Sequence, residues 1–491
     1  MNLSKENLKN ITAKSITKPA GNIFSLPEKV LQFGTGVLLR GLPDYFIDKA
    51  NRQGLFNGRI VVVKSTDSGD ATAFDRQDGL YTLCVRGIEE GKKVEENIIC
   101  SAISRVISAR DQWQDILQLA HRPEMQIIIS NTTEVGIQLV EDDIRRNPPV
   151  SFPGKLLAFL YQRYKAFKGS PDSGMVIVPT ELIVDNGKKL AGIVKELAQI
   201  GQLEASFILW MEQHCRFCSS LVDRIVPGKP DAAALQQLQH DLGYTDDLLA
   251  ISEVYRLWAI EGDERVREIL SFAGADMGVI IQPDIEVYRE LKLRLLNGTH
   301  TLSCGLAFLA GFNTVKNAMD DTAFATFVSD LMLKEIAPAI PYDLPLQDAR
   351  DFGLRVLDRF RNPHLQHQWL SITMQYSSKM KMRDIPVLVR HYEQQTTPPP
   401  HFALGFAAYL LFMRAQPPHP VNDDRAAHYA QLWQRTPHEV VYESLRDKSL
   451  WGVDLTLLPG FEEAVREALD SLINKGPVAT LAQLTTIKKG I

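Results

Sequence analysis

Along the first half of the chain, short aliphatic and β-branched runs alternate with stretches of helical spacing. Residues 29–33 (KVLQF) lead into a glycine pair, and 59–63 (RIVVV) end at Lys64. Residues 125–130 (MQIIIS) run into Asn131, and 175–178 (MVIV) into Pro179-Thr180-Glu181. Continuous apolar runs of this length, separated by helices, suit strands buried on both faces of a parallel sheet. Polar residues follow each run, at the carboxyl edge where open α/β sheets bind ligands. From about Asp284 onward the pattern is helical, as in 287–296, 323–336, 403–414 and 461–473, with Pro398-Pro399-Pro400 and Pro417-Pro418 as loops. The expected fold class is therefore α/β, a doubly wound N-terminal domain over 1–283 and a mostly helical domain over 284–491.

Composition narrows the function classes. The 491 residues are 45% hydrophobic and 23% charged, within the globular range, and the net charge is −5. That balance argues against a nucleic-acid partner held on a basic surface. Five cysteines are too few for a disulfide scaffold and fit a reducing compartment. Residues 1–15 (MNLSKENLKNITAKS) contain no apolar signal core. The longest nearly apolar run, 402–413, is shorter than the ~20 residues a membrane span needs, so it reads as a buried helix. The expectation is a cytoplasmic protein with no membrane and no nucleic-acid partner.

Three stretches carry candidate chemistry. Phe33-Gly34-Thr35-Gly36 follows the first strand, where a glycine turn before a helix lets backbone N–H groups approach a pyrophosphate. The third glycine of a full dinucleotide fingerprint is absent: Leu39 stands there, and Gly41 comes two later. The second strand ends Lys64-Ser65-Thr66, with Asp67 beyond, so spacing alone leaves NAD and NADP open. The sharpest pattern is 292–300 (KLRLLNGTH). At about 100° per residue, Lys292, Asn297 and His300 fall within about 140° of one helix face. A lysine, an amide and an imidazole together can hold a carbonyl oxygen and exchange a proton with it. The bland alternative is a solvated lysine, a helix-ending Asn-Gly and a core histidine. Cys215 and Cys218 form a lone CxxC without the second pair a structural zinc needs, so no metal is expected. HExxH, GxSxG and Walker motifs are absent.

Lys292-x4-Asn297-x2-His300 resembles the signature of the mannitol dehydrogenase family, long-chain polyol-specific dehydrogenases that work without a metal. Further pieces agree in order: Gly34, Gly36 and Arg40; Asp78-Gly79-Leu80-Tyr81; Ser130-Asn131-Thr132-Thr133-Glu134; Val222-Asp223-Arg224-Ile225 before Pro227; Arg359-Phe360-Arg361-Asn362-Pro363; and Ser378-Lys379. The resemblance implies a Rossmann-type domain carrying NAD(H) and a helical domain closing over the substrate. It makes Lys292 the general acid/base, with Asn297 and His300 polarising the substrate oxygen. Asn131 and Thr132 would face the nicotinamide side, and Asp223 and Lys379 the substrate. Two departures bear on specificity. Leu182 stands where mannitol- and mannonate-type members carry a substrate-binding amide, and Ser371 replaces an arginine. Both resemble the branch that reduces six-carbon keto sugar acids, with Arg383 the candidate partner of the carboxylate. A polyol- or mannonate-type enzyme is disfavoured by Leu182 and Ser371, and a non-catalytic dinucleotide-binding regulator by the intact Lys292, Asn297 and His300.

Overall fold

A computed structural model describes residues 1–65, 71–132, 134–416 and 418–486. Thr66, Asp67 and Thr133 lie outside the described residues. The chain divides into two compact units, one of Met1–Arg86 with Lys93–Ile285, the other of Gly87–Lys92 with Glu286–Ile491.

The first unit is built on six parallel strands: β1 (Glu28–Phe33), β2 (Arg59–Lys64), β3 (Ile103–Ser108), β4 (Ile127–Ser130), β5 (Val176–Pro179) and β6 (Arg216–Phe217). Their order is β3-β2-β1-β4-β5-β6, the Rossmann arrangement, whose direction of winding reverses between β1 and β4. Alternate side chains enter two separate cores. Val30, Ile60, Val62, Ile127 and Val176 pack on one face; Leu31, Val61, Val63, Ile128 and Ile177 pack on the other. Burial on both faces explains the continuous apolar runs. The two edge strands escaped the sequence pattern for different reasons: β3 (ISRVIS) alternates with polar residues, and β6 is only two residues long. Two smaller sheets were also unforeseen, one containing Tyr81–Glu89 and Lys92–Cys100, the other Ser220–Asp223, Leu257–Glu261 and Val279–Gln282.

After β1 the chain turns at Gly34 into α1 (Val37–Gly41) and α2 (Pro43–Arg52), with a break at Leu42. Gly41 is where helix meets neighbour: a Cβ there would lie 2.7 Å from Val226 Cγ2. The displaced third glycine thus serves close packing. Arg40 is buried; its Nη1 donates to Leu248 O and its guanidinium lies over the Phe74 and Tyr81 rings.

The second unit is helical. Its elements include α3 (Thr299–Leu309), α4 (Leu346–Phe360), α5 (Tyr376–Arg383), α6 (Pro400–Met413) and α7 (Phe461–Lys475). Helix α6 is buried nearly all round and packs on both α3 and α7. Gly405 allows the close approach, since a Cβ there would lie 2.6 Å from Leu302 O on α3. Among the described residues, no helix is long and apolar enough to cross a membrane.

One buried pair under the first glycine turn has a measurable signature. Gln32 Nε2 donates to Asp44 Oδ2 at 3.4 Å, and burial raises the Asp44 carboxyl from 3.8 to about 8. The folded protein therefore holds this proton more tightly than the unfolded chain does. Its stabilising contribution is complete below pH ~4 and declines as pH rises through about 8. Asp44→Asn is expected to flatten that decline, read as a smaller loss of urea midpoint between pH 5 and 9 than in the parent protein.

Candidate active site

Register aligns the carboxyl ends of the central strands. Phe33 pairs with Val63 and with Ser130, and Ser130 with Pro179. Gly34, Lys64, Asn131 and Thr180 consequently emerge along one edge at the point where the winding reverses. Gly34 has φ 128°, and a Cβ there would meet Leu39 Cδ1 at 2.9 Å and Asn131 O at 3.0 Å. Only glycine suits that turn. A Cβ on Gly36, the N-cap of α1, would meet nothing within 4 Å, leaving its backbone open to a ligand. Phe33 is fully buried beneath the turn, and Thr35 is partly exposed on it. At the end of β2, Lys64 is half-buried, and Ser65 Oγ is buried with no hydrogen-bond partner among the described residues. A glycine turn open at Gly36 and an orphan hydroxyl one strand away fit a dinucleotide's pyrophosphate and ribose.

Asn131 and Thr132 are fixed from the next strand. Asn131 Nδ2 donates to Thr180 Oγ1 at 3.0 Å, while Thr132 N and Oγ1 donate to Glu181 Oε1 at 2.9 and 3.0 Å. Ser130 Oγ donates to the other Glu181 oxygen at 3.1 Å. Buried Glu181 therefore splints the ends of β4 and β5, a role the sequence signals only by a carboxylate directly after an apolar strand. Asn186 is consumed in the same way, donating to Pro179 O, Glu181 O and Ser220 O. Leu182 is 64% exposed. Asp223 ends Ser220–Asp223 in the three-stranded sheet of this unit and is buried.

In the helical unit, Lys292–Gly298 forms a π-helix that continues directly into α3. The 100° wheel therefore misplaces Asn297. Hydrogen bonds from i to i+5 bring the fifth residue round toward the first, so Lys292 and Asn297 lie closer in direction than an α-helix would put them. His300 sits in the first turn of α3, buried, stacked on Phe360 at 4.1 Å and 12°, with Trp369 and His367 edge-on at 5.9 and 5.2 Å. Its Nε2 is buried without a hydrogen-bond partner among the described residues. Burial, then the fields of His367, Arg359, Arg383 and Lys379, hold its pKa well below the usual 6.5. The imidazole is neutral at physiological pH.

Helix α5 supplies Lys379 and Arg383. Lys379 Nζ donates to Ile372 O at 2.9 Å; burial first, then Arg383, lowers its pKa. Arg383 Nη1 donates to Thr301 Oγ1 at 3.0 Å and Asn297 O at 3.4 Å, and its Nε is buried without a hydrogen-bond partner among the described residues. Arg294 clamps the two helices together. Its guanidinium pairs with Glu290 at 2.9 Å while Nη1 donates to Met382 O at 2.6 Å and Arg383 O at 2.8 Å. Gly298 completes the contact, because a Cβ there would lie 2.6 Å from Asp384 Oδ1. Burial drives the Asp384 carboxyl well above its usual pKa, against the opposing fields of Arg383 and Arg294.

Two family models cover most of the sequence, the mannitol dehydrogenase Rossmann domain over residues 28–273 and the mannitol dehydrogenase C-terminal domain over 284–473. The chain belongs to the mannitol dehydrogenase family. Family relatives include altronate oxidoreductases of Yersinia enterocolitica, 38% identical over 93% of this chain and 97% of that one, and of Bacillus subtilis, 38% identical over 93% and 95%. Among solved structures, a Pseudomonas fluorescens mannitol 2-dehydrogenase ternary complex with NAD and D-mannitol is 23% identical, with TM-score 0.64 over 99% of this chain and 100% of that chain. A substrate-free D-sorbitol dehydrogenase is 20% identical, with TM-score 0.77 over 98% and 100%. The protein is thus an oxidoreductase acting on a CH–OH group.

Within this family member, Lys292, Asn297, His300, Lys379 and Arg383 share one helical unit, and Phe33, Gly34, Thr35, Gly36, Lys64, Asn131, Thr132 and Asp223 belong to the other. Ser371 is exposed, its Oγ donating to Gln368 O at 2.7 Å. Among the described residues no group of three or more His, Cys, Asp or Glu side chains is placed to hold a metal. Cys215 and Cys218 are buried thiols with pKa values pushed up to about 11 and 12 by burial. Arg294 and Phe360 lie inside quoted motifs but received no role of their own, because their partners, Met382 O and Arg383 O for one and the His300 ring for the other, meet them only in the fold. Arg294→Met, which strands Glu290 at 12% side-chain exposure, is expected to cost about 3–5 kcal/mol in denaturant unfolding. The double variant with Glu290→Gln should recover much of that loss.

Proposed function

We propose that the protein catalyses the reversible NADH-dependent reduction of D-tagaturonate to D-altronate, a step of hexuronate breakdown, without a metal. The observation that carries the sugar-acid reading is the basic surround of His300, on which the fields of Arg359, Lys379 and Arg383 converge. A neutral polyol has no use for such a field, whereas a carboxylate is stabilised by it. The names of the altronate oxidoreductase relatives point the same way.

NADH, whose oxidised form accompanies the Pseudomonas fluorescens relative, would sit on the turn at Gly34, Thr35 and Gly36, over Phe33, with its adenosine ribose toward Lys64 and Ser65 and its nicotinamide toward Asn131 and Thr132. When bound, it supplies the hydride that reaches the substrate carbonyl carbon. As that bond forms, the C=O π pair moves to oxygen, which takes a proton from the Lys292 ammonium. Asn297 donates to the same oxygen and His300 presents Nε2 to it, stabilising charge as it develops. Because His300 is neutral, it orients and polarises and leaves proton transfer to Lys292. Asp223 and Lys379 bind substrate hydroxyls. Arg383, anchored on Asn297 O and Thr301, contributes positive charge toward the carboxylate while fixing the π-helix.

NADH oxidation followed with tagaturonate, fructuronate and fructose, with NADPH as control, tests this reading. Tagaturonate with NADH should give the highest kcat/KM; a preference for fructuronate or fructose would overturn the substrate assignment. Lys292→Ala should lower kcat by about 10²–10⁴-fold. Unchanged turnover in that variant would sink the proton-transfer role.

A further inference from the structure

Four basic or titratable groups surround His300, and they differ in what they have left to offer. Arg359 is buried. Lys379 directs Nζ to Ile372 O, and Arg383 directs Nη1 to Asn297 O and Thr301 Oγ1. His367 alone of the four lies exposed, and its ring nitrogens make no hydrogen bond among the described residues. Its backbone is nonetheless fixed. Val315 N donates to His367 O at 2.9 Å and Trp369 N to Asn313 O at 3.0 Å, around an antiparallel bridge between Thr314 and Gln368.

Residues two apart on an extended segment point to the same side. Accordingly both His367 and Trp369 meet the His300 ring edge-on, the tryptophan fully buried and His367 on the open side. From these observations we propose that His367 is a specificity-determining residue, donating a ring N–H to the carboxylate of a sugar-acid substrate whose carbonyl oxygen is held at His300. This rests on the sugar-acid reading above and assigns its anion contact. Although the residue is open to solvent on one side, desolvation of the ring by the surrounding protein, then the fields of Arg359 and Lys379, disfavour the imidazolium in the free protein. An incoming carboxylate offsets that field and strengthens the bond.

Two variants of the full chain separate recognition from packing. His367→Phe keeps an aromatic edge against His300 and removes the donor; His367→Gln keeps a donor and removes the ring. A hydrogen bond to a charged group lost on substitution corresponds to about a ten- to hundredfold effect. His367→Phe should therefore raise KM for tagaturonate by about that factor, with kcat and the kcat/KM for neutral fructose within about threefold of the parent. His367→Gln should retain most of the affinity. Competitive inhibition by D-gluconate, a six-carbon hydroxy acid, reads the contact whichever sugar turns over, and its Ki should rise in parallel in His367→Phe. An unchanged KM and Ki in that variant, or equal losses with tagaturonate and fructose, would overturn the assignment. A parent enzyme preferring fructose, yet losing gluconate inhibition in His367→Phe, would overturn the tagaturonate reading and leave the His367 contact standing.

Discussion

Arg294 holds two helices in one relative position, and the groups assigned to proton transfer and substrate binding in the helical unit hang from those two helices. On one side lie Lys292, Asn297 and His300; on the other, Lys379 and Arg383. The guanidinium spans them because it has enough donors to satisfy Glu290 and two backbone carbonyls, Met382 O and Arg383 O, together. A lysine in its place would be a flexible point charge without a planar fork. Geometry on the scale of a hydrogen bond is what the proposed oxyanion stabilisation requires, and Arg294 is placed to fix it through the backbone of the neighbouring helix.

The same economy runs through the dinucleotide edge. Glu181, Asn186 and Thr180 spend their polar atoms on the protein, tying strand ends to one another, while Gly36 stays open at the edge proposed for the dinucleotide. The side chains with the most conspicuous chemistry in the sequence are therefore not always those with spare valence. Arg40, set in the glycine turn's own motif, is an anchor for the first helix.

Much of the fold was legible because burial on both faces leaves unbroken apolar runs, as at β1, β2, β4 and β5. Strand β3 was not, since an edge strand mixes polar residues into its pattern, and β6 is too short to carry one. The grouping of Gly87–Lys92 with the helical unit is invisible to hydropathy: it is a hairpin tip, whose Gly91 N donates to Asp358 on α4. Within the site, Lys292, Asn297 and His300 were readable from residue type and spacing. Arg294 looked like an ordinary helical arginine, and His367 lies far along the chain in a segment with no periodic signal. Tertiary contacts alone bring it to His300. The helical wheel failed at Asn297 for a specific reason, the assumption of α geometry across a π segment.

That π segment also sets how the chain tolerates changes of length. A π-helix is an α-helix accommodating an extra residue, so the stretch Lys292–Gly298 has a natural shorter form. Removing one residue between Lys292 and Asn297 would relieve the wide turn and leave α3 and its packing on α6 intact. It would leave the lysine and the amide four residues apart, still on one face of a regular α-helix. The extra residue is therefore not what makes the two side chains converge, since a regular helix with one residue fewer would do so as well. The five-residue interval is tolerated because the wider π turn absorbs the added residue and keeps both side chains toward one face.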